Sequence, residues 1–316
     1  MKKSIFLILI FFAICSCSKE DLLETDQNIE GNIDLEQRAP AIPEPVIIGQ
    51  ENTGCVANII FLAEGFKESE LTEFKNLCDI AKQAILDMEP FTSASNSLNF
   101  YRVDSPSSSS GIKTKQFTSI CNASTGVNTY TRTPWAVFGN RVGLEYYAGM
   151  EPWRRDALEY MFGNYVTGDY AYTIIIANTT DYYGGAEFPG VTEYNTILNP
   201  KVSNMIVSKY DSGNGFKFLV RHEFGHSFGN MDDEYVDLDT YCAIGTYESW
   251  YLPPTPKANV FTSDPGGWHL GARYVPSGYW REWENSIMRS DASSTTFSPK
   301  QFEIVKHRIK QAVGCL

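Results

Sequence analysis

Apolar runs and helical spacings alternate along the first half of the chain. Residues 56–63 form a continuous apolar run rich in β-branched side chains, which predicts a buried strand. Between Ser69 and Pro90 the apolar positions recur every three or four residues, which is typical of an amphipathic helix that ends before a proline. The same reasoning predicts strands over 98–103, 172–177 and 205–208, and a helix over 152–162.

The second half contains two helix signals separated by a stretch with little periodicity. A glycine-punctuated turn at 212–215 leads into a helix that carries the sequence RHEFGHS. The final helix is predicted to follow Ser298, which can cap it, with Pro299 at its first position and Gly314 beyond its end. Residues 235–298 are rich in Pro, Gly, Trp and Tyr, and this composition predicts mostly loop.

The N-terminus carries the features of an export signal. Two lysines precede an apolar run over residues 5–14, which is too short to span a membrane. The residues that lead to Cys17 resemble the lipobox of bacterial lipoproteins, so residues 1–16 are expected to be removed and Cys17 to be lipidated. The acidic residues after Ser18 resemble a short signal that sends lipoproteins to the outer face of some bacteria. We therefore expect an outer-membrane lipoprotein at the cell surface; cleavage and plain secretion is the alternative.

Residues 17–45 are expected to form an acidic, flexible tether. Residues 18–45 hold eight acids, two bases and no aromatic side chain, so they cannot bury enough apolar surface to offset their ordering entropy. The remaining residues, 46–316, are long enough to bury a full core. The only predicted contact with a membrane is the lipid anchor.

Charge and cysteine content narrow the possible functions. The formal net charge of -12 opposes binding to a nucleic acid. Five cysteines remain after Cys17, and none has the spacing of a zinc knuckle. An exported chain permits disulfides, and the odd number leaves at least one free thiol if all bonds are internal.

Residues 221–235, RHEFGHSFGNMDDEY, have the spacing of a zinc hydrolase site. On a helix, His222 and His226 share one face and can direct ring nitrogens at a single ion. Zinc accepts imidazole, and three protein ligands with one water form a catalytic site. Glu223 is placed to take a proton from the zinc-bound water and to pass it to the leaving amine. A plain surface helix is the alternative, but the chain has only four histidines, and Gly229 follows where a compact site needs a turn.

This stretch resembles the bacterial IgA-peptidase family of zinc metallopeptidases, whose motif reads H-E-x-G-H-S-F-x-x-L-x-D-E-Y. The chain supplies every fixed position of that motif except the leucine, which is Met231 here. The similarity extends over roughly residues 46–312. A later methionine, Met288, matches the methionine turn of metzincins, which forms a floor beneath the metal. The resemblance implies an α+β, metzincin-like catalytic domain. It would have a mixed, mostly parallel twisted sheet, an active-site helix and a C-terminal helix.

The resemblance leaves the third zinc ligand open. Ordinary metzincin spacing points to Asp232, whereas the family motif fixes Asp233, which we favour. The other acid would accept a hydrogen bond from an imidazole or face solvent. The group that stabilises the oxyanion is not identified, although Tyr235 is a candidate. The edge strand near residues 177–185 is expected to hold an extended peptide by backbone pairing.

These observations predict a surface-tethered zinc endopeptidase that acts on extracellular proteins, such as host immunoglobulin or mucin-type proteins. Two alternatives remain. The chain could be a binding lipoprotein that kept the peptidase fold and lost its catalytic activity, although Glu223 and both histidines are intact. A zinc hydrolase could instead act on peptidoglycan peptides, because the cleft and not the motif sets the substrate.

Overall fold

The computed structural model describes ten segments of the chain. They are residues 43–107, 110–112, 117–122, 127–132, 162–182, 184–187, 201–211, 213–238, 255–289 and 295–313. The predicted signal sequence, Cys17, most of the tether and all but Phe162 of the predicted helix over 152–162 lie outside them. The chain divides after Leu35, and every described residue belongs to the unit Glu36–Leu316.

Eleven strands and three longer helices are found in these segments. The strands are β1 Val46–Ile47, β2 Ala57–Glu64, β3 Leu98–Val103, β4 Phe117–Asn122, β5 Val127–Arg132, β6 Ala171–Ala177, β7 Gly184–Glu187, β8 Val202–Ser208, β9 Val260–Phe261, β10 His269–Ala272 and β11 Val275–Arg281. The helices are α1 Leu71–Leu86, α2 Asn214–Ser227 and α3 Pro299–Ala312.

A six-stranded mixed sheet in the order β1-β3-β2-β6-β8-β7 organises the domain. The four inner strands are parallel to one another, and β1 and β7 pair antiparallel at the two edges. β2 and β6 are buried along their whole length because strands cover them on both sides. The predicted mixed, mostly parallel sheet is therefore confirmed.

One face of this sheet carries the main core, to which all three helices contribute. α1 buries residues spaced three and four apart, from Leu71 to Ile85, as the sequence predicted. α2 packs against the same face, and Phe228, which follows its last residue, has its ring centroid 4.5 Å from that of Tyr172 on β6. α3 begins as predicted, because Ser298 and Gln301 cap each other and Pro299 occupies the first turn.

The prediction of loop over 235–298 is wrong for part of that range. β9, β10 and β11 form a three-stranded antiparallel sheet in which Trp280 pairs with Phe261 and Leu270. The short strands and the irregular register at Gly271 hide the alternation on which a strand prediction depends. A second small sheet, the β4–β5 hairpin, was also not predicted.

Two cysteines among the described residues differ in state. Cys55 is disulfide-bonded, whereas Cys78 on α1 is a buried free thiol. Among the described residues, no helix is both long and apolar enough to cross a membrane.

Candidate metal centre

Three potential metal ligands converge at the C-terminal half of α2. His222 Nε2 lies 2.9 Å from Asp233 Oδ1, His226 Nε2 lies 3.1 Å from the same oxygen, and the two Nε2 atoms are 3.2 Å apart. Within the described part of the chain, this is the only group of three or more such side chains with the spacing of a metal site. Ligands about 2.0–2.1 Å from one tetrahedral ion lie about 3.4 Å from one another, so the triangle needs little change to hold an ion.

The orientation of both imidazoles is fixed by backbone carbonyls. His222 Nδ1 donates to the carbonyl oxygen of Ile287 at 2.8 Å, and His226 Nδ1 donates to that of Met231 at 2.6 Å. In the neutral rings the Nε2 atoms then carry lone pairs. Two lone pairs and a carboxylate oxygen therefore face the same point, which is repulsive unless a cation lies between them. The donor set fits a divalent ion such as zinc.

The Asp233 carboxylate is also fixed by residues other than the two histidines. Its second oxygen accepts a hydrogen bond from the hydroxyl of Tyr274, a half-buried side chain. Arg273 and Tyr274 both have positive φ values, 53° and 70°, which are uncommon for such side chains. The Arg273 N–H donates to the Asp233 carbonyl at 2.9 Å, so this turn is tied to the ligand it supports.

Asp232 does not join the histidines. Its carboxylate accepts a hydrogen bond from the Lys257 N–H at 2.7 Å and lies 3.1 Å from Arg273 Nε. Its own backbone N–H donates to Asn259 Oδ1 at 2.8 Å. The alternative ligand considered from the sequence is thus placed elsewhere, where it binds the loop that precedes β9. Of the two candidates for the third ligand, the geometry favours Asp233.

Met288 packs against α2 at Gly225. It is fully buried, and a Cβ at Gly225 would overlap its sulfur and lie 3.2 Å from its Cε. Gly225 stands between His222 and His226 in the sequence of α2, so the missing side chain at this position admits the methionine.

A buried carboxyl, Glu234, joins this turn to α3. It accepts hydrogen bonds from Ser286 Oγ at 2.6 Å, Gln301 Nε2 at 2.7 Å and Asn259 Nδ2 at 3.0 Å. Its backbone N–H donates to the Met288 carbonyl at 2.8 Å. Burial raises the pKa of Glu234, and these donors partly oppose the rise. The family motif includes this glutamate, but the sequence alone does not predict its supporting role.

Glu223 packs against the edge strand β7. A Cβ at Gly184 would overlap the Glu223 carboxylate and lie 2.7 Å from its Cγ. Burial raises the pKa of Glu223, and the neighbouring histidines partly lower it again. A carboxylate with a raised pKa beside a metal site is suited to accept a proton and later release it. The absence of a side chain at Gly184 therefore allows the backbone of β7 to approach Glu223 closely.

The charges inside the triangle are strongly coupled. Burial alone would lower the pKa of His222, but Asp233 outweighs it and raises that pKa to about 9. Burial would raise the pKa of Asp233, but the two imidazoles hold it far below its ordinary value. A metal ion must displace the proton from His222, so the affinity of the site for an ion should fall as the pH falls.

Comparison with known proteins identifies one matching family. The model of the family described as IgA Peptidase M64 matches residues 50–265, which include the histidines, Glu223 and Asp233. A search of curated proteins finds no significant match.

Proposed function

The chain belongs to the IgA peptidase M64 family, and we propose that it is a zinc-dependent endopeptidase. The observation that carries the proposal is the convergence of His222, His226 and Asp233 within 3.2 Å of one another, with Glu223 beside them. The family supports a peptidase, and the donor set supports zinc, because imidazole and carboxylate ligands in a triangle leave a fourth tetrahedral position open.

His222, His226 and Asp233 would hold the ion. When bound, zinc lowers the pKa of a coordinated water to about 7 and polarises the scissile carbonyl. Glu223 accepts a proton from the attacking water and delivers it to the amine that leaves. Water attacks directly, so no covalent bond forms between the chain and its substrate.

The edge strand β7 is the proposed binding site for the peptide. It is antiparallel to β8 and has no partner on its outer side among the described strands. An extended peptide can add to such an edge through backbone hydrogen bonds. Because Gly184 of β7 contacts Glu223, a peptide bound there would pass directly over the catalytic carboxylate. This arrangement, with Met288 packed against α2 at Gly225, is the reason for proposing a metzincin-like active site.

The proposed substrates are extracellular proteins. Export and lipidation at Cys17 would place the domain at the outer face of the cell, with residues 17–45 as its tether. Host immunoglobulin or mucin-type proteins fit that location, and the family description names an immunoglobulin. The formal net charge of -12 favours no nucleic-acid partner.

Terminus-resolved mass spectrometry tests the proposal. Wild type and Glu223→Gln are incubated with a pool of secreted host proteins that includes immunoglobulin A. We expect new N-termini only with wild type and only without a chelator. Cleavage by Glu223→Gln would refute the role of this carboxyl. A zinc-loaded wild type that cleaves nothing would favour a binding lipoprotein or a substrate such as a peptidoglycan peptide.

The third ligand has its own matched pair of variants. Asp233→Ala removes a member of the triangle, whereas Asp232→Ala removes a neighbour that bonds Lys257 and Arg273. Zinc per chain, measured by elemental analysis after dialysis, should fall well below one for Asp233→Ala and stay near one for Asp232→Ala. The reverse result would assign the ligand to Asp232.

A further inference from the structure

Tyr182 lies at the entrance to the proposed active site. It comes two residues before Gly184, where β7 begins and where the backbone contacts Glu223. Gly184 and Ala186 of β7 face α2 and the main core. The ring of Tyr182 contacts Tyr210, which packs against the same core, so it lies on the α2 side of the sheet, and it is 54% exposed.

The ring of Tyr182 is held by a second tyrosine. Tyr182 and Tyr210 pack edge to face, with ring centroids 5.1 Å apart and an interplanar angle of 88°. Tyr210 in turn rests on Gly215 in the first turn of α2, where a Cβ would lie 2.8 Å from the Tyr210 ring. A glycine at this position thus allows Tyr210 to support Tyr182 from behind.

The surroundings keep the proton on the Tyr182 hydroxyl. Partial burial raises the pKa of Tyr182 to about 12, and the charges of Glu223 and Asp233 add to the rise. The phenol is therefore a hydrogen-bond donor at any physiological pH. These two carboxylates are the proposed base and one of the proposed metal ligands.

The other tyrosines of the site have different positions. The Tyr274 hydroxyl already donates to Asp233. Tyr235 packs with its ring 6.2 Å from His222 and 5.1 Å from Tyr274, on the loop that follows α2. Tyr182 comes from the edge-strand side instead, and its hydroxyl forms no hydrogen bond with any residue that the structure describes.

We propose that Tyr182 donates a hydrogen bond to the scissile carbonyl oxygen and to the oxyanion that this oxygen becomes when water attacks. The inference rests on the proposed endopeptidase function. A peptide paired with β7 would pass Tyr182 immediately before it reaches Glu223. Its carbonyl oxygen would then meet a donor on the side opposite the ligand loop. A preorganised donor aimed at a developing negative charge stabilises the transition state more than the ground state.

Tyr182→Phe and Tyr210→Phe form a matched pair for the test. Both remove one hydroxyl from the same ring pair, but only the first removes the proposed donor. With the full-length zinc-loaded chain and a peptide substrate from the cleavage assay, we expect Tyr182→Phe to lower kcat about 100-fold with little change in KM. Tyr210→Phe should leave both constants unchanged. Zinc per chain should equal that of wild type in both variants.

A phosphinic peptide, which mimics the tetrahedral oxyanion, gives a readout that needs no turnover. Its dissociation constant, measured by calorimetry, should rise about 100-fold in Tyr182→Phe and stay constant in Tyr210→Phe. Equal dissociation constants for wild type and Tyr182→Phe overturn the inference, whatever the activity. A wild type that cleaves no protein but binds the analogue far more tightly than Tyr182→Phe would refute the endopeptidase and retain the tyrosine contact.

Discussion

Glu64→Gln tests how strongly a buried carboxyl at the end of β2 links folding to pH. Glu64 is fully buried, and neither carboxyl oxygen has a hydrogen-bond partner within the described part of the chain. The neighbouring Gly65 N–H lowers the pKa slightly, but it donates to Ser107 Oγ at 3.0 Å. Burial dominates and raises the pKa of Glu64 from 4.5 to about 8.

The size of the effect follows from this shift. The two pKa values differ by 8 − 4.5 = 3.5, which corresponds to about 4.8 kcal/mol at 1.36 kcal/mol per unit. The unfolded chain releases the proton near pH 4.5, whereas the folded chain keeps it until about pH 8. Stability from this group is therefore complete below pH 4.5 and is lost as the pH rises to 8, at about 1.4 kcal/mol per pH unit.

Urea unfolding of metal-free wild type and Glu64→Gln between pH 5 and pH 8.5, followed by tryptophan fluorescence, measures the difference directly. Glutamine does not titrate, so the variant should gain about 4 kcal/mol relative to wild type across this range. All other groups titrate equally in both proteins and cancel. Two parallel stability curves would refute the reasoning.

Glu70→Gln is the control. Glu70 lies in the same region, but it is exposed and accepts hydrogen bonds from Ser110 Oγ and the Lys67 N–H, which lower its pKa. The folding stability that the Glu70 carboxylate contributes is present above the pKa of the unfolded chain and is lost as the pH falls through the pKa of the folded chain. Between pH 5 and pH 8.5 this carboxyl is largely ionised in both the folded and the unfolded chain, so Glu70→Gln should keep nearly the slope of wild type.

Three further predictions concern the site and its location. Gly184→Ala places a Cβ against Glu223, so kcat should fall at least about 10-fold while zinc content stays at one per chain; unchanged kcat would contradict the contact. Tyr274→Phe removes the donor to Asp233 and should weaken zinc about 10–100-fold in a competition titration with a chelating dye; equal affinity would show that the hydroxyl does not support the ligand. Cys17→Ser should move the protein from the membrane fraction to the soluble fraction, and a variant that stays with the membrane would rule out lipid attachment at this residue.

Local signals in the sequence predicted the elements that build the site. The spacing of His222 and His226 on a helix needs only the helical period, and a run of apolar residues suffices to predict β2 and β6. The motif also located the acidic pair after the helix. The family motif favoured Asp233 and ordinary metzincin spacing pointed to Asp232, because the choice depends on where the loop turns.

The remaining features depend on contacts between distant residues. Asp232 contacts Arg273 and Lys257, and Asp233 contacts Tyr274. Arg273 and Tyr274 form a turn with two positive φ values, which no sequence pattern predicted. The proposed roles of Tyr182 and Gly184 can be recognised only when β7 is placed beside α2. Sequence periodicity reports the local environment of a residue, whereas these pairs lie 25 to 41 residues apart and are set by packing.

The network around Glu234 determines how late in the synthesis of the chain the metal centre can be completed. A chain synthesised as far as Asp233 already contains every proposed zinc ligand. It still lacks Ser286 and Gln301, which fix Glu234, and Met288, which packs against α2 at Gly225. The ligands exist early, but their geometry is complete only when α3 has been added. Full metal affinity should therefore be a property of the finished domain, and a growing chain is not yet a protease.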